Sequence, residues 1–178
     1  MKIVILLPGY FEENFGGAEL QSKYLAQACI NNYYDVYYIF LSTRREFSNP
    51  LNINLFPINK KNIFIKLNNI KYPYFLPLIK TLKYINPDVI YNRTASALTG
   101  IAAYYAKRHC QLIFHIASDK DLEHYALSFY NFYLLLEKQL IQYGINKANK
   151  VIAQSNFQAE QLKINYNKQA TIISNGHP

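Results

Sequence analysis

The chain has 178 residues, 51% of them apolar and 17% charged, with a formal net charge of +8. That is enough for one domain with a full core, and too apolar for a disordered segment. The positive balance either favours an anionic partner (phosphorylated ligand, nucleic acid, acidic membrane face) or serves solubility, since the lysines and arginines are scattered rather than run together.

Tyr, Asn, Lys and Ile are abundant together, a pattern that genome base composition produces, so no single Tyr or Asn is read as chemistry. Cys29 and Cys110 lie in no CxxC or Cys/His cluster, so a reduced, cytosolic, metal-free chain is expected. The apolar run at residues 3–7 is too short for a signal peptide and Pro8-Gly9 cuts it off. No stretch approaches the ~20 apolar residues of a membrane span. The sequon Asn92-Arg93-Thr94 carries no meaning in a cytosolic protein.

Strands and helices alternate. Residues 3–7 form a continuous apolar run, as a strand buried on both faces does. A turn over residues 8–17 leads into a helix at 18–31, and residues 35–41 (DVYYIFL) are a second strand. Residues 42–72 are less regular, with short strand-like pieces at 53–56 and 63–67. A helix is expected at 73–85, ended by Asn86-Pro87, then a strand at 88–91. An alanine-rich helix follows at 95–108, a strand at 111–116, and a long helical pattern from about 122 to 147 whose last turn Gly144 weakens. Within it residues 125–136 are apolar all round: a buried core helix, or a face for a membrane or a missing domain. Residues 151–153 are a strand. Ser155 with Gln158 forms a capping box that opens a helix to about residue 165. Residues 171–173 are a last strand, broken by Ser174-Asn175-Gly176.

This order requires right-handed crossovers and a mostly parallel sheet, hence a Rossmann-like, doubly wound three-layer α/β/α domain. Ligands in such folds bind beyond the carboxyl ends of the strands. In the first loop, Gly16-Gly17 stands at a helix entry, where free N–H groups and the helix dipole suit a phosphate and glycine lets the backbone approach closely. A tight turn needing positive φ would use the same pair. The loop is neither GxGxxG nor GxxxxGK[ST]. His115 ends an apolar strand, where it either meets a sugar hydroxyl or is a structural histidine. Lys120 contacts an anionic acceptor or is a solvated loop residue. Arg93, just past the strand at 88–91, grips phosphate or carboxylate or makes a structural salt bridge. His109, His124 and His177 form no metal-ligand pattern, Asp119 and Asp121 do not face one bond as a glycosidase pair would, and GxSxG is missing.

Taken in order, these elements resemble the N-terminal domain of the family 4 (group 1) glycosyltransferases, which have the GT-B fold. Residues 3–7 precede a loop ending Gly16-Gly17-Ala18-Glu19, then come Leu25-Ala26 and Tyr34-Asp35-Val36. Pro87-Asp88-Val89-Ile90-Tyr91 is similar to that family's PDVIH strand, and Phe114-His115 to its strand-end histidine. Lys147-Ala148-Asn149-Lys150-Val151-Ile152-Ala153-Gln154-Ser155 is similar to its AD-x-VIAxS element, and Ile172-Ile173-Ser174-Asn175-Gly176 to its VIPNG exit. Tyr33-Tyr34 departs from the family's Gly-His, and no Glu-x7-Glu pair is present.

The resemblance implies a retaining transfer of a sugar from a nucleotide-sugar donor to a hydroxyl acceptor, with no metal and no other cofactor. Gly16 and Gly17 would approach the donor diphosphate and His115 the transferred sugar; Arg93 and Lys120 would face the acceptor, a glycan or lipid-linked sugar. Glu19 is structural in this reading. A C-terminal donor domain or subunit would supply most of the donor grip. The expected setting is bacterial glycan or glycolipid synthesis, in the cytoplasm or peripherally at the inner membrane face. The other readings are a non-catalytic module that binds a sugar phosphate or pairs with a donor subunit, and nucleic-acid binding, which only the charge suggests.

Overall fold

A computed structural model describes residues 1–14, 16–59, 74–122 and 132–176. Among these, seven strands form one sheet: β1 (Lys2–Leu6), β2 (Asp35–Ser42), β3 (Asn54–Asn59), β4 (Val89–Arg93), β5 (Gln111–His115), β6 (Lys150–Ala153) and β7 (Thr171–Ile172). Their order is β3-β2-β1-β4-β5-β6-β7, and every neighbouring pair is parallel. Five α-helices connect them: α1 (Gly17–Asn31), α2 (Phe75–Ile85), α3 (Ala97–His109), α4 (Phe132–Lys147) and α5 (Asn156–Tyr166).

The continuous apolar strands are explained by burial on both faces. Val4, Leu6, Ile90, Leu112, Phe114 and Val151 pack with Leu78, Leu82, Ile101, Ile145 and Leu162 from α2 to α5. Ile3, Ile5, Leu7, Val36, Tyr38 and Phe40 point the other way, toward Ala26 and Cys29 of α1 and toward Tyr10 and Phe11 of the first loop. Each buried large aliphatic contributes roughly 1.5–3 kcal/mol, so the two clusters hold the sheet between its covering elements on both faces.

Several elements differ from the sequence expectation. The piece expected at 53–56 is β3, which runs on through Pro57. An edge strand tolerates a residue without an N–H, and among the described residues β3 is the edge of the sheet. The strand expected to end at Tyr91 continues to Arg93, so Arg93 belongs to the sheet rather than to the loop after it. The α4 helix passes through Gly144 without ending there. A Cβ on Gly144 would stand 2.7 Å from the Thr99 carbonyl carbon, and one on Gly100 2.8 Å from that of Leu140. The two glycines let α3 and α4 cross closely. Ahead of α4, residues 119–122 form a 3-10 turn. The expected strand piece at 63–67 and all but the end of the apolar stretch at 125–136 lie outside the described residues.

Candidate functional site at the carboxyl edge of the sheet

Because β1, β4 and β5 are adjacent and parallel, the loop after β1 and the end of β5 open on the same edge. Gly16 caps α1 with φ −85° and ψ 158°, and no described glycine has positive φ. The pair is therefore not used for a left-handed turn. A Cβ on Gly9 would lie 2.6 Å from Glu19 Oε1, and one on Gly16 would collide with Oε2. The Glu19 carboxylate thus folds back over the first loop, where it complements the α1 N-terminus. A Cβ on Gly17 would meet nothing within 4 Å. Gly17 is the open half of the pair.

Residues at alternate positions of a strand share a face, so Tyr91 and Arg93 of β4 point toward the α1 side. Parallel register sets Arg93 beside His115. The Arg93 side chain is 2% exposed and His115 is 6% exposed. Arg93 Nη1 lies 3.1 Å from His115 Nδ1 and 3.4 Å from Nε2, and donates to the Tyr91 hydroxyl at 3.3 Å. Tyr91 Oη is 2.6 Å from His115 Nδ1. Arg93 Nη2 donates to Asn175 Oδ1 at 2.7 Å, while Nε has no partner among the described residues. No carboxylate makes a salt bridge with this guanidinium among the described residues. Burial first, and then the Arg93 charge, lower the His115 pKa to about 3; burial raises that of Tyr91. The site holds a buried cation, a neutral imidazole and a neutral phenol.

A strap closes this edge. After β7, Ile173 N–H still donates to Ala153 O, and the chain then crosses toward α1. Asn175 Nδ2 donates to Gln154 Oε1, whose own amide donates to Ile116 O and Ala117 O. Gln21 of α1 donates to Gly176 O and accepts from Gly176 N–H. The expected capping box is half present: Ser155 Oγ accepts from Gln158 N–H, but the Gln158 side chain serves Gln154 N–H and Asp119 instead.

Lys120 is exposed on the 3-10 turn. It borders a cavity of about 210 Å³ with Asp121, Lys138, Gln142 and Tyr166. Asp121 accepts from the N–H groups of Ala95, Ala117 and Ser118. It ties the loop after β4 to the loop after β5, and burial raises its pKa against those bonds. The structure therefore gathers Arg93 and His115, keeps Gly17 on the same edge, and sets Lys120 apart on the rim. Tyr91, Gln154, Asn175 and Asp121 were not singled out from sequence as site residues. Period-two alternation with Arg93 could have found Tyr91; the other three depend on contacts between distant segments.

A seven-stranded, all-parallel α/β domain with a polar cluster at the carboxyl edge defines one half of a GT-B architecture. The chain belongs to glycosyltransferase family 4, whose profile matches residues 15–177. Among solved structures, it resembles sucrose-phosphate synthase from Thermosynechococcus elongatus (TM-score 0.68, 13% identity, 97% of this chain and 47% of that one). It also resembles the lipopolysaccharide outer core galactosyltransferase WaaB (0.64, 14%, 99% and 46%). The UDP-GlcNAc 2-epimerase of Methanocaldococcus jannaschii is similar as well (0.61, 15%, 98% and 46%). At such identities the likeness is one of fold, and the chain spans about half the length of these proteins. No curated protein matches it in sequence.

Proposed function

We propose that this chain is the acceptor-side half of a retaining sugar-nucleotide glycosyltransferase of glycan or glycolipid synthesis. The observation that carries the reading is one shared edge: within a family 4 domain, the open Gly17 helix entry and His115 end neighbouring parts of the same parallel sheet. Gly16 and Gly17 offer backbone donors to the donor diphosphate, His115 meets the transferred sugar, and Lys120 faces an anionic or sugar acceptor. Arg93 acts on the acceptor side from behind His115. Backbone donors and cations offset the leaving-group charge, so the transfer proceeds without a metal. A second domain or subunit supplies the remaining donor contacts, and the protein works in the cytoplasm, at the inner membrane face when the acceptor is lipid-linked.

The test is turnover of UDP- and GDP-sugars by the 178-residue chain, alone and with a family 4 donor half supplied in trans. The expected result is no turnover alone and EDTA-insensitive, anomer-retaining transfer with the partner. A normal rate from the chain alone ends the half-enzyme reading. Binding of a sugar phosphate with no transfer under either condition supports a stand-alone binding module, which the half-length match also accommodates.

A further inference from the structure

We propose that Arg93 is a positioning residue: through Tyr91 and by direct contact it holds the His115 ring neutral, with Nδ1 turned inward as an acceptor and Nε2–H left to donate. The proposal rests on reading His115 as the group that meets the sugar, and concerns how that group is prepared.

The direction of each hydrogen bond carries it. A guanidinium has five donors and no acceptor. Nη1 lies 3.1 Å from Nδ1 and 3.4 Å from Nε2, so it rests against the ring rather than on the lone pair of either nitrogen and acts there through its charge. Its contact with Tyr91 directs a hydrogen at the phenol oxygen. That leaves the phenol proton free to point at Nδ1, 2.6 Å away. Among the described residues that proton has no other acceptor, so in the neutral ring Nδ1 is bare and the proton sits on Nε2.

Protonating Nδ1 would remove the acceptor the phenol uses and set an imidazolium against a guanidinium that is 2% exposed. The surrounding groups do not soften this. From β4 come Arg93 and the neutral Tyr91. The strap contributes the amide of Asn175, which fixes Nη2, and the 3-10 turn contributes Asp121, whose oxygens are engaged by three backbone N–H groups. Arg93 thus makes His115 a hydrogen-bond donor to a sugar oxygen and denies it the role of general acid or base. A free arginine on the acceptor would do none of this.

The experiment is histidine NMR on the 178-residue chain, with His115 assigned by comparison with His115→Gln. In the wild type, Nδ1 is expected to show a hydrogen-bonded, unprotonated 15N shift at pH 7.5, with no His115 titration down to pH 4. Arg93→Met is expected to raise the His115 pKa by about one unit or more, the usual effect of removing a like charge. Arg93→Lys, which keeps the charge, leaves the ring neutral. Tyr91→Phe is expected to move the Nδ1 shift toward that of a free lone pair. A protonated Nδ1 in the wild type, or Arg93→Met with an unchanged pKa, overturns the proposal. If the variants do not fold, the wild-type Nδ1 shift alone decides. None of these readouts needs transfer activity, so a failed turnover assay would sink the functional reading and leave this one standing.

Discussion

An unfolded histidine gains a proton below about pH 6.5, whereas His115 in the fold does so only near pH 3. Between those values the unfolded state binds more protons, so the His115 contribution is complete above pH 6.5 and is lost as pH falls. The slope is at most about 1.4 kcal/mol per pH unit. Asp121 acts with the opposite sign, because burial raises its pKa. Urea unfolding of the wild type and of His115→Gln at pH 7 and pH 5.5 separates the two: the wild type is expected to lose about 1 kcal/mol more than the variant. Glu19 allows a second test. Its carboxylate borders the helix entry assigned to the diphosphate, so Glu19→Gln should tighten sugar-nucleotide binding several-fold, measured by calorimetry on the donor-paired protein. Unchanged affinity would place the diphosphate elsewhere. At this scale the sequence singles out His115 and Arg93 as candidates but not their contact, because neighbours across a parallel sheet are set by register, and register is not written in either strand alone.

The order of elements was legible because buried parallel strands leave uninterrupted apolar runs and helix entries leave polar signals, such as Ser155 with Gln158. Boundaries were less legible. Asn92 and Arg93 look like loop residues by polarity, yet Asn92 extends β4 by donating to Leu6 O at 3.0 Å, and Arg93 by its partners at the edge. By propensity Gly144 is a weak point of the helix; tertiary packing gives it the opposite role. Gly144→Ala and Gly100→Ala should each destabilise the domain by about 1–3 kcal/mol through overpacking at the α3–α4 crossing. A thermal melt checks this, and a neutral result at both sites would mean that the helices do not approach as closely as described.

For the whole molecule, the charge is less evenly spread than the sequence suggested. Between Phe47 and Ser118 the only acid is Asp88. On α2, Lys80, Lys83 and Tyr84 are exposed, and on the adjoining α3, Tyr104, Lys107 and Arg108. No described helix is long and apolar enough to cross a membrane. If the acceptor is lipid-linked, this basic flank should bind vesicles containing anionic lipid, and Lys80→Glu with Lys83→Glu should weaken sedimentation with them at least ten-fold in apparent affinity. Equal binding to neutral vesicles would sink that expectation. The strap has a mechanical consequence. Gly176 is fastened to Gln21, and Asn175 to both Arg93 and Gln154. Any displacement of the strap is transmitted to Gln21, Arg93 and Gln154, and Arg93 leans on the imidazole. A lever of two residues thus links the first helix and the end of β6 to the ring that would touch the sugar.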